Sequence, residues 1–298
     1  MQFCNKKINR SVGFFKGVFM VTALNVKLAL ERLGVKEGDS IITHSSFKSV
    51  GELENGAATI VEGMRAAVGE SGTVLFPTLC QEPWDHIYEN WHMDAHSDIG
   101  YLTNFFRKLP EAKRSNQATH SVAAIGKDAE YFTKTHGESG KRYGIFGDTP
   151  FSADSPWEKM YERDTKVVFL GVGIRKCTFR HYAEYCVIED YLKRAEKSPR
   201  YEEVKAKIWT YEKEGKYVWD QHGLWPHVDS EFIEPYLLGE GKIKKTYLGA
   251  APVMLISSRD FVDKAKEMLY QRYPGIISGY AEYSYVDMFK WFEEVDNL

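Results

Sequence analysis

Cysteine is scarce in this chain: Cys4, Cys80, Cys177 and Cys186 are the four in 298 residues. None forms a C-x-x-C pair, which excludes a dense disulfide framework and points to a reducing compartment, the cytoplasm. Charge of one sign is also lacking. Lys and Arg number 39 against 42 Asp and Glu, a net charge of -3, without the basic excess that nucleic acid demands. No apolar run approaches the roughly 18 residues of a membrane span. The one stretch resembling a targeting segment, SVGFFKGVFMVTALNV, is broken by Lys16 and leads at once into an amphipathic KLALERLGV. It is expected to be a lead-in strand packing on the domain rather than a cleaved leader.

Several catalytic signatures are missing as well. No serine stands in a G-x-S-x-G elbow, which counts against a Ser-His-Asp hydrolase. GESGKR (137–142) has the tail of a phosphate-binding loop, but Thr135 replaces its first glycine and Arg142 its closing Ser or Thr. His86, His92, Asp94 and His96 crowd one segment without an HExxH or a closed cysteine set, so no metal is expected. Cys177 has no neighbour that would lower its thiol pKa and reads as structural.

What is present is a regular alternation of short apolar strands and amphipathic helices. NVKLALERLGVKEGD is helical, DSIITHSS a buried strand, GAATIVEGMRAAVG (56–69) a helix and GTVLFPT (72–78) a strand. Strand, helix and strand within about 40 residues predict a βαβ unit and a partly parallel sheet. YLTNFFRKLP reads as helix, THSVAAIG as strand, KVVFLGVG as a buried strand and FRHYAEYCVIEDYLKR as helix. Ser155, Pro156 and Glu158 have the order of a capping box. EEVKAKIWTYEKEGKYVWDQHG predicts a hairpin turning near Glu214-Gly215, and the last third closes with two strands and a helix. The expected fold is one α/β domain over 1–298: a mixed, partly parallel sheet flanked by helices, with an antiparallel hairpin extension.

Three stretches carry chemistry. THSSFKSVG (43–51) runs from a strand into hydroxyls and a lysine. It reads either as a polar turn or as an anion seat built from His44, Ser45, Ser46 and Lys48. In RSNQATHSVAAIG (114–126), Arg114, Ser115, His120 and Ser121 precede a strand; arginine offers a planar fork to phosphate, while a lone histidine is commonly a bonded core residue. In TFRHYAEY (178–185), His181 and Glu184 share a helical face at i, i+3. They are either a surface pair or a general base polarised by a carboxylate.

Taken in order, THSSFKSVG, GAATIVEGMRAAVGESGTVLFPT, RSNQATHSVAAIG, GDTPFSADSPWEKMYE and VVFLGVG…CTFRHYAEY resemble the aminoglycoside 3-N-acetyltransferase family over roughly residues 20–270. The resemblance implies an acetyl-coenzyme A site and direct acetyl transfer to a primary amine of an aminoglycoside, with no metal. It assigns His44, Ser45, Ser46, Phe47, Lys48, Arg114, Ser115, His120 and Ser121 to the coenzyme and makes His181 and Glu184 the catalytic pair. Gln117-Ala118 depart from the family's proline-containing tetrad after Arg-Ser. Glu82, Trp84, Asp85 and Asp94, with Trp91, offer charge and stacking to a polycationic sugar, or form an exposed loop. Asp229 stands where relatives place an acidic residue near the amine, and also where a helix cap would stand. A nucleotide-linked or polysaccharide-precursor amino sugar is the alternative acceptor, and a non-catalytic coenzyme-binding relative a weaker one. Partners are small molecules, with a homodimer left open.

Overall fold

The computed structural model describes residues 20–80, 91–136, 150–151, 153–207, 212–213, 216–217, 227–277 and 285–298. Helix α1 (Ala23–Arg32) starts at Thr22, whose hydroxyl accepts from the Asn25 N–H while the Asn25 side-chain Oδ1 accepts from the Thr22 N–H. Two otherwise orphaned amides are thereby satisfied. Strand β1 (Ser40–Ser45), helix α2 (Ala57–Val68) and strand β2 (Thr73–Pro77) form the expected βαβ unit, with Ile41 paired to Val74 in parallel. Helix α3 (Tyr101–Phe106), strand β3 (Lys113–Arg114) and strand β4 (Val122–Gly126) follow, β4 returning antiparallel to β2.

Helices α4 (Ala129–Thr133) and α5 (Pro156–Glu162) lead to strand β5 (Lys166–Leu170), which lies parallel to β1 on the side away from β2. Helix α6 (Phe179–Ala195) and helix α7 (Tyr201–Ala206) precede the short ribbon of β6 (Glu212–Lys213) and β7 (Lys216–Tyr217). Helix α8 (Ser230–Gly239), strands β8 (Lys244–Leu248) and β9 (Ala251–Ser257), helix α9 (Ser258–Tyr270) and helix α10 (Tyr285–Asp296) complete the chain. The seven-stranded sheet has the order β3-β4-β2-β1-β5-β9-β8. Its centre, β2-β1-β5, is parallel, and both flanks are antiparallel.

Both faces of the sheet are covered, which is why the central strands read as apolar runs rather than as alternations. Ile41, Val74, Phe76, Val168 and Leu255 face α1, α2 and α3. Ile42, Leu75, Val167, Phe169 and Ile256 face the layer built from α4 to α10. Strand period two therefore puts His44 on the same face as Ile42, among the second set.

Two expectations need correction. The first part of the predicted hairpin is helix α7: its buried Val204 packs in the core, and its carbonyl accepts from Trp291 Nε1 at 3.1 Å. Tertiary burial decided that stretch. Among the described residues the ribbon comprises Glu212–Lys213 and Lys216–Tyr217, with Lys213 paired to Lys216, and the expected turn at Glu214-Gly215 lies outside the described residues. The capping box of α5 is half formed. Ser155 Oγ accepts from the Glu158 N–H, but the Glu158 carboxylate bonds the N–H of Asp154, which sits at φ 64°.

Candidate active site

A doubly wound sheet binds ligands outside the carboxyl ends of its strands, where the chain changes face. Here that point lies between β1 and β5. From β1 the chain crosses to β2 through α2 on one face; from β5 it enters α6 on the other. The two strand ends are stitched together: the Ser46 N–H donates to the Leu170 carbonyl at 2.8 Å. Gly171 follows at φ 66°, and a Cβ there would lie 1.7 Å from Ser49 Oγ, so the 46–49 turn rests directly on the glycine.

His44 stands at the end of β1, its ring stacked on Phe169 at 5.4 Å. Burial, and then the Lys176 charge, lower its pKa to about 3, so the imidazole is neutral. Its Nε2 is buried without a hydrogen-bond partner. A buried orphan of this kind in a crevice suits a ligand that supplies the missing partner. Ser45 and Ser46 are partly exposed beside it and Lys48 is exposed, whereas Phe47 packs on Tyr101 at 5.0 Å.

The first turn of α6 carries His181. Its Nδ1 lies 2.8 Å from Glu184 Oε2, and Glu184 Oε1 accepts from the Val228 N–H at 2.7 Å. Burial alone would raise the Glu184 carboxyl. The His181 imidazole, His227 and Arg180 outweigh it and hold the group below the usual carboxylate range. An ionised carboxylate only accepts, so the proton of a neutral His181 sits on Nδ1 and the lone pair on Nε2. Arg180 Nε donates to that Nε2 at 3.2 Å. His181 keeps 20% of its side chain exposed while Glu184 has none. This is a partly exposed base on a buried support, able to take a proton from a bound group once Arg180 leaves Nε2.

His120 reaches the same spot, its ring centroid 5.8 Å from that of His181, with Phe151 against both rings. Its Nδ1 pairs with Thr119 Oγ1 at 2.8 Å and its carbonyl accepts from Trp157 Nε1. Burial, then His181 and His136, push its pKa well below the ordinary value.

The remainder of the 114–121 cluster is turned inward. Arg114 directs its guanidinium to Thr78 O, Ala95 O, Met93 O, Thr78 Oγ1 and Cys80 Sγ, and lies over the Trp91 ring at 4.7 Å. Its five N–H directions are spent on protein, so it clamps the 93–95 loop to the end of β2 instead of offering a fork outward. Ser115 Oγ accepts from the Val122 N–H and pairs with His136 Nδ1, and Ser121 Oγ donates to Thr78 O. Both serines are fully buried.

Asp229 is the N-cap of α8, accepting from the Glu231 and Phe232 N–H groups. Asp94, His92 and His96 are exposed, and Glu82, Trp84, Asp85 and His86 lie outside the described residues. Among the described residues no group of three His, Cys, Asp or Glu could hold a metal ion. Burial raises the Cys177 thiol to about 12, which leaves it inert. Three groups escaped the sequence reading: Arg180, whose adjacency to His181 was the available signal, and His227 and the Val228 amide, which had none.

Residues 42–270 match the protein family described as aminoglycoside 3-N-acetyltransferase. An aminoglycoside N(3)-acetyltransferase III of Salmonella sp is 31% identical over 182 residues, covering 55% of this chain and 60% of that protein's length. The SPbeta prophage-derived aminoglycoside N(3')-acetyltransferase-like protein YokD of Bacillus subtilis (strain 168) is 26% identical over 292 residues, covering 88% and 95%. The solved structure of AAC-IIIb, binary with CoASH, has the same fold: TM-score 0.64 at 20% identity, over 85% of this chain and 98% of that one. By its motif order, its sheet and these matches, the chain belongs to the aminoglycoside 3-N-acetyltransferase family.

Proposed function

We propose that this protein is an acetyl-CoA-dependent N-acetyltransferase that transfers acetyl directly to a primary amine of an aminoglycoside or related amino sugar. The observation that carries the reading is the Val228–Glu184–His181 chain of hydrogen bonds, which places the lone pair of a partly exposed imidazole on Nε2. An ammonium is no nucleophile, so the acceptor must lose a proton first. His181 Nε2 takes it, and the imidazolium that forms is stabilised by the buried Glu184 carboxylate. The amine nitrogen then bonds the thioester carbonyl carbon, the C–S bond breaks, the imidazolium gives its proton to the departing thiolate, and the nitrogen's second proton passes to water. No enzyme nucleophile is needed, in keeping with the inert Cys177.

The coenzyme is assigned to the wall built from His44, Ser45, Ser46 and Lys48, supported by the orphaned His44 Nε2 and by the CoASH complex of AAC-IIIb. Within that assignment Arg114, Ser115 and Ser121 shape the wall from behind, and His120 lines it beside the base. Asp229 holds α8 so that Val228 meets Glu184. The reading includes one domain, small-molecule partners, a cytoplasmic setting and no metal. A screen of acetyl-CoA consumption against aminoglycosides and free or nucleotide-linked amino sugars tests it, with His181→Ala as control. Consumption with one acceptor class, abolished in the variant, is expected; none with any acceptor would sink the reading.

A further inference from the structure

Arg180 holds a position that general-base chemistry alone does not explain. Its Nε–H donates to the one nitrogen of His181 that must accept a proton. Among the described residues it pairs with no carboxylate, it is only partly buried, and its two terminal NH2 groups make no hydrogen bond. Its charge is felt at Glu184, His120 and His227, the groups around the base. A guanidinium resting on Nε2 blocks the lone pair and repels an approaching ammonium. For the base to work, something must draw that guanidinium away, and the group that does so best is an oxyanion matching its planar fork.

We propose that Arg180 determines acceptor specificity, and that the amine acetylated here carries a phosphate or carboxylate close to the reacting nitrogen. Pairing with that anion lifts the guanidinium from Nε2, frees the base and positions the amine in one movement. The inference rests on the N-acetyltransferase reading and narrows its acceptor from amino sugars in general to anionic ones. Two other anions are chemically conceivable partners. The coenzyme's phosphates are separated from the thioester by the whole pantetheine arm, so they do not meet a group placed at the base. The oxyanion of the tetrahedral intermediate does form there, but it is common to every acceptor, which makes the two roles separable.

The test compares kcat/KM for glucosamine, glucosamine 1-phosphate and glucosamine 6-phosphate in the wild type, Arg180→Met and Arg180→Lys. A phosphorylated acceptor should exceed glucosamine by about tenfold or more in the wild type, the scale of one charge-assisted pair. Arg180→Met should collapse that preference, mainly through KM, and Arg180→Lys, which keeps the charge but loses the fork, should retain part of it. Equal treatment of phosphorylated and plain acceptors by the wild type overturns the proposal. So does a fall in kcat of the same size on every acceptor in Arg180→Met, which would assign the residue to the oxyanion. If no acceptor is turned over, the acetylation reading fails by itself, and binding of glucosamine 6-phosphate to the CoA-loaded protein decides this one. Weakening of about tenfold in Arg180→Met supports the anion site, and equal binding by both proteins removes it.

Discussion

Glu184 is gripped from two sides, and that grip sets the tautomer of His181. Glu184→Gln keeps the shape, but its carbonyl must satisfy the Val228 N–H, which leaves its NH2 aimed at Nδ1. The imidazole then carries its proton on Nε2, where the lone pair is wanted. His181→Ala should lower kcat by about a hundredfold or more, the scale of a positioned base, with acetyl-CoA affinity retained. Glu184→Gln should cost nearly as much, because the imidazole remains but presents an N–H where the lone pair is needed. His120→Ala should chiefly weaken coenzyme binding. Normal turnover by His181→Ala on an authentic acceptor, with His120→Ala inactive, would exchange the two roles.

The buried histidines also set an acid limit. In the folded protein His44 and His136 titrate at about 3, and His120 is pushed the same way. Unfolded, each takes up its proton near 6.5. Between about 3 and 6.5 the unfolded state therefore binds more protons, so stability is fully present above that window and lost as pH falls through it. Each residue contributes up to about 1.4 kcal/mol per pH unit. The melting temperature should already drop between pH 6.5 and 5. His136→Gln, which keeps an acceptor for Ser115 and a donor for the Pro150 carbonyl, should make the drop shallower. An unchanged slope would remove His136 from this account.

At the scale of elements, the joint between the 46–49 turn and Gly171 is the tightest feature near the crevice. Gly171→Ala combines a left-handed backbone with a collision on Ser49, so it should lower stability and coenzyme affinity together. Adding Ser49→Gly should recover part of both losses, read as a coupling energy between neighbours. No recovery would mean that backbone strain alone is responsible. Ser155→Ala, which removes the α5 cap, should cost about 1 kcal/mol in a denaturant titration.

Elements with their own punctuation were legible in the sequence. β1, α2 and β2 have clean apolar periods between glycines, and α5 announces itself through Ser155 and Pro156. His181 and Glu184 were legible because a helix brings i and i+3 together. Helix α7 was not, since YEEVKA owes its helical form to Val204 and Trp291 meeting from distant parts of the chain. The role of Arg114 was misread for a related reason. Half of its acceptors are backbone carbonyls, those of Thr78, Met93 and Ala95, which have no signature in side-chain chemistry.

For the molecule as a whole, binding of acetyl-CoA should stabilise the fold by about 2.7 kcal/mol at a hundredfold excess over its Kd. A melting curve that does not move at millimolar acetyl-CoA would count against the coenzyme assignment. Activity should also survive exhaustive EDTA treatment; a loss restored by zinc would bring His92 and His96 back as ligands.

The sheet order has a consequence in time as well as in space. β1 meets β2 across a single helix, but it meets β5 only when Ile41 finds Lys166, after a far longer loop has closed. His44 and the 46–49 turn belong to the first event, His181 and its carboxylate to the second. The β1–β5 seam is thus the last part of the sheet's centre to assemble. On refolding, the far-ultraviolet circular dichroism of the early βαβ unit should return before any acetyl transfer does. A chain caught between the two stages would have the proposed coenzyme wall without the proposed base, and so be harmless to acetyl-CoA until it is finished.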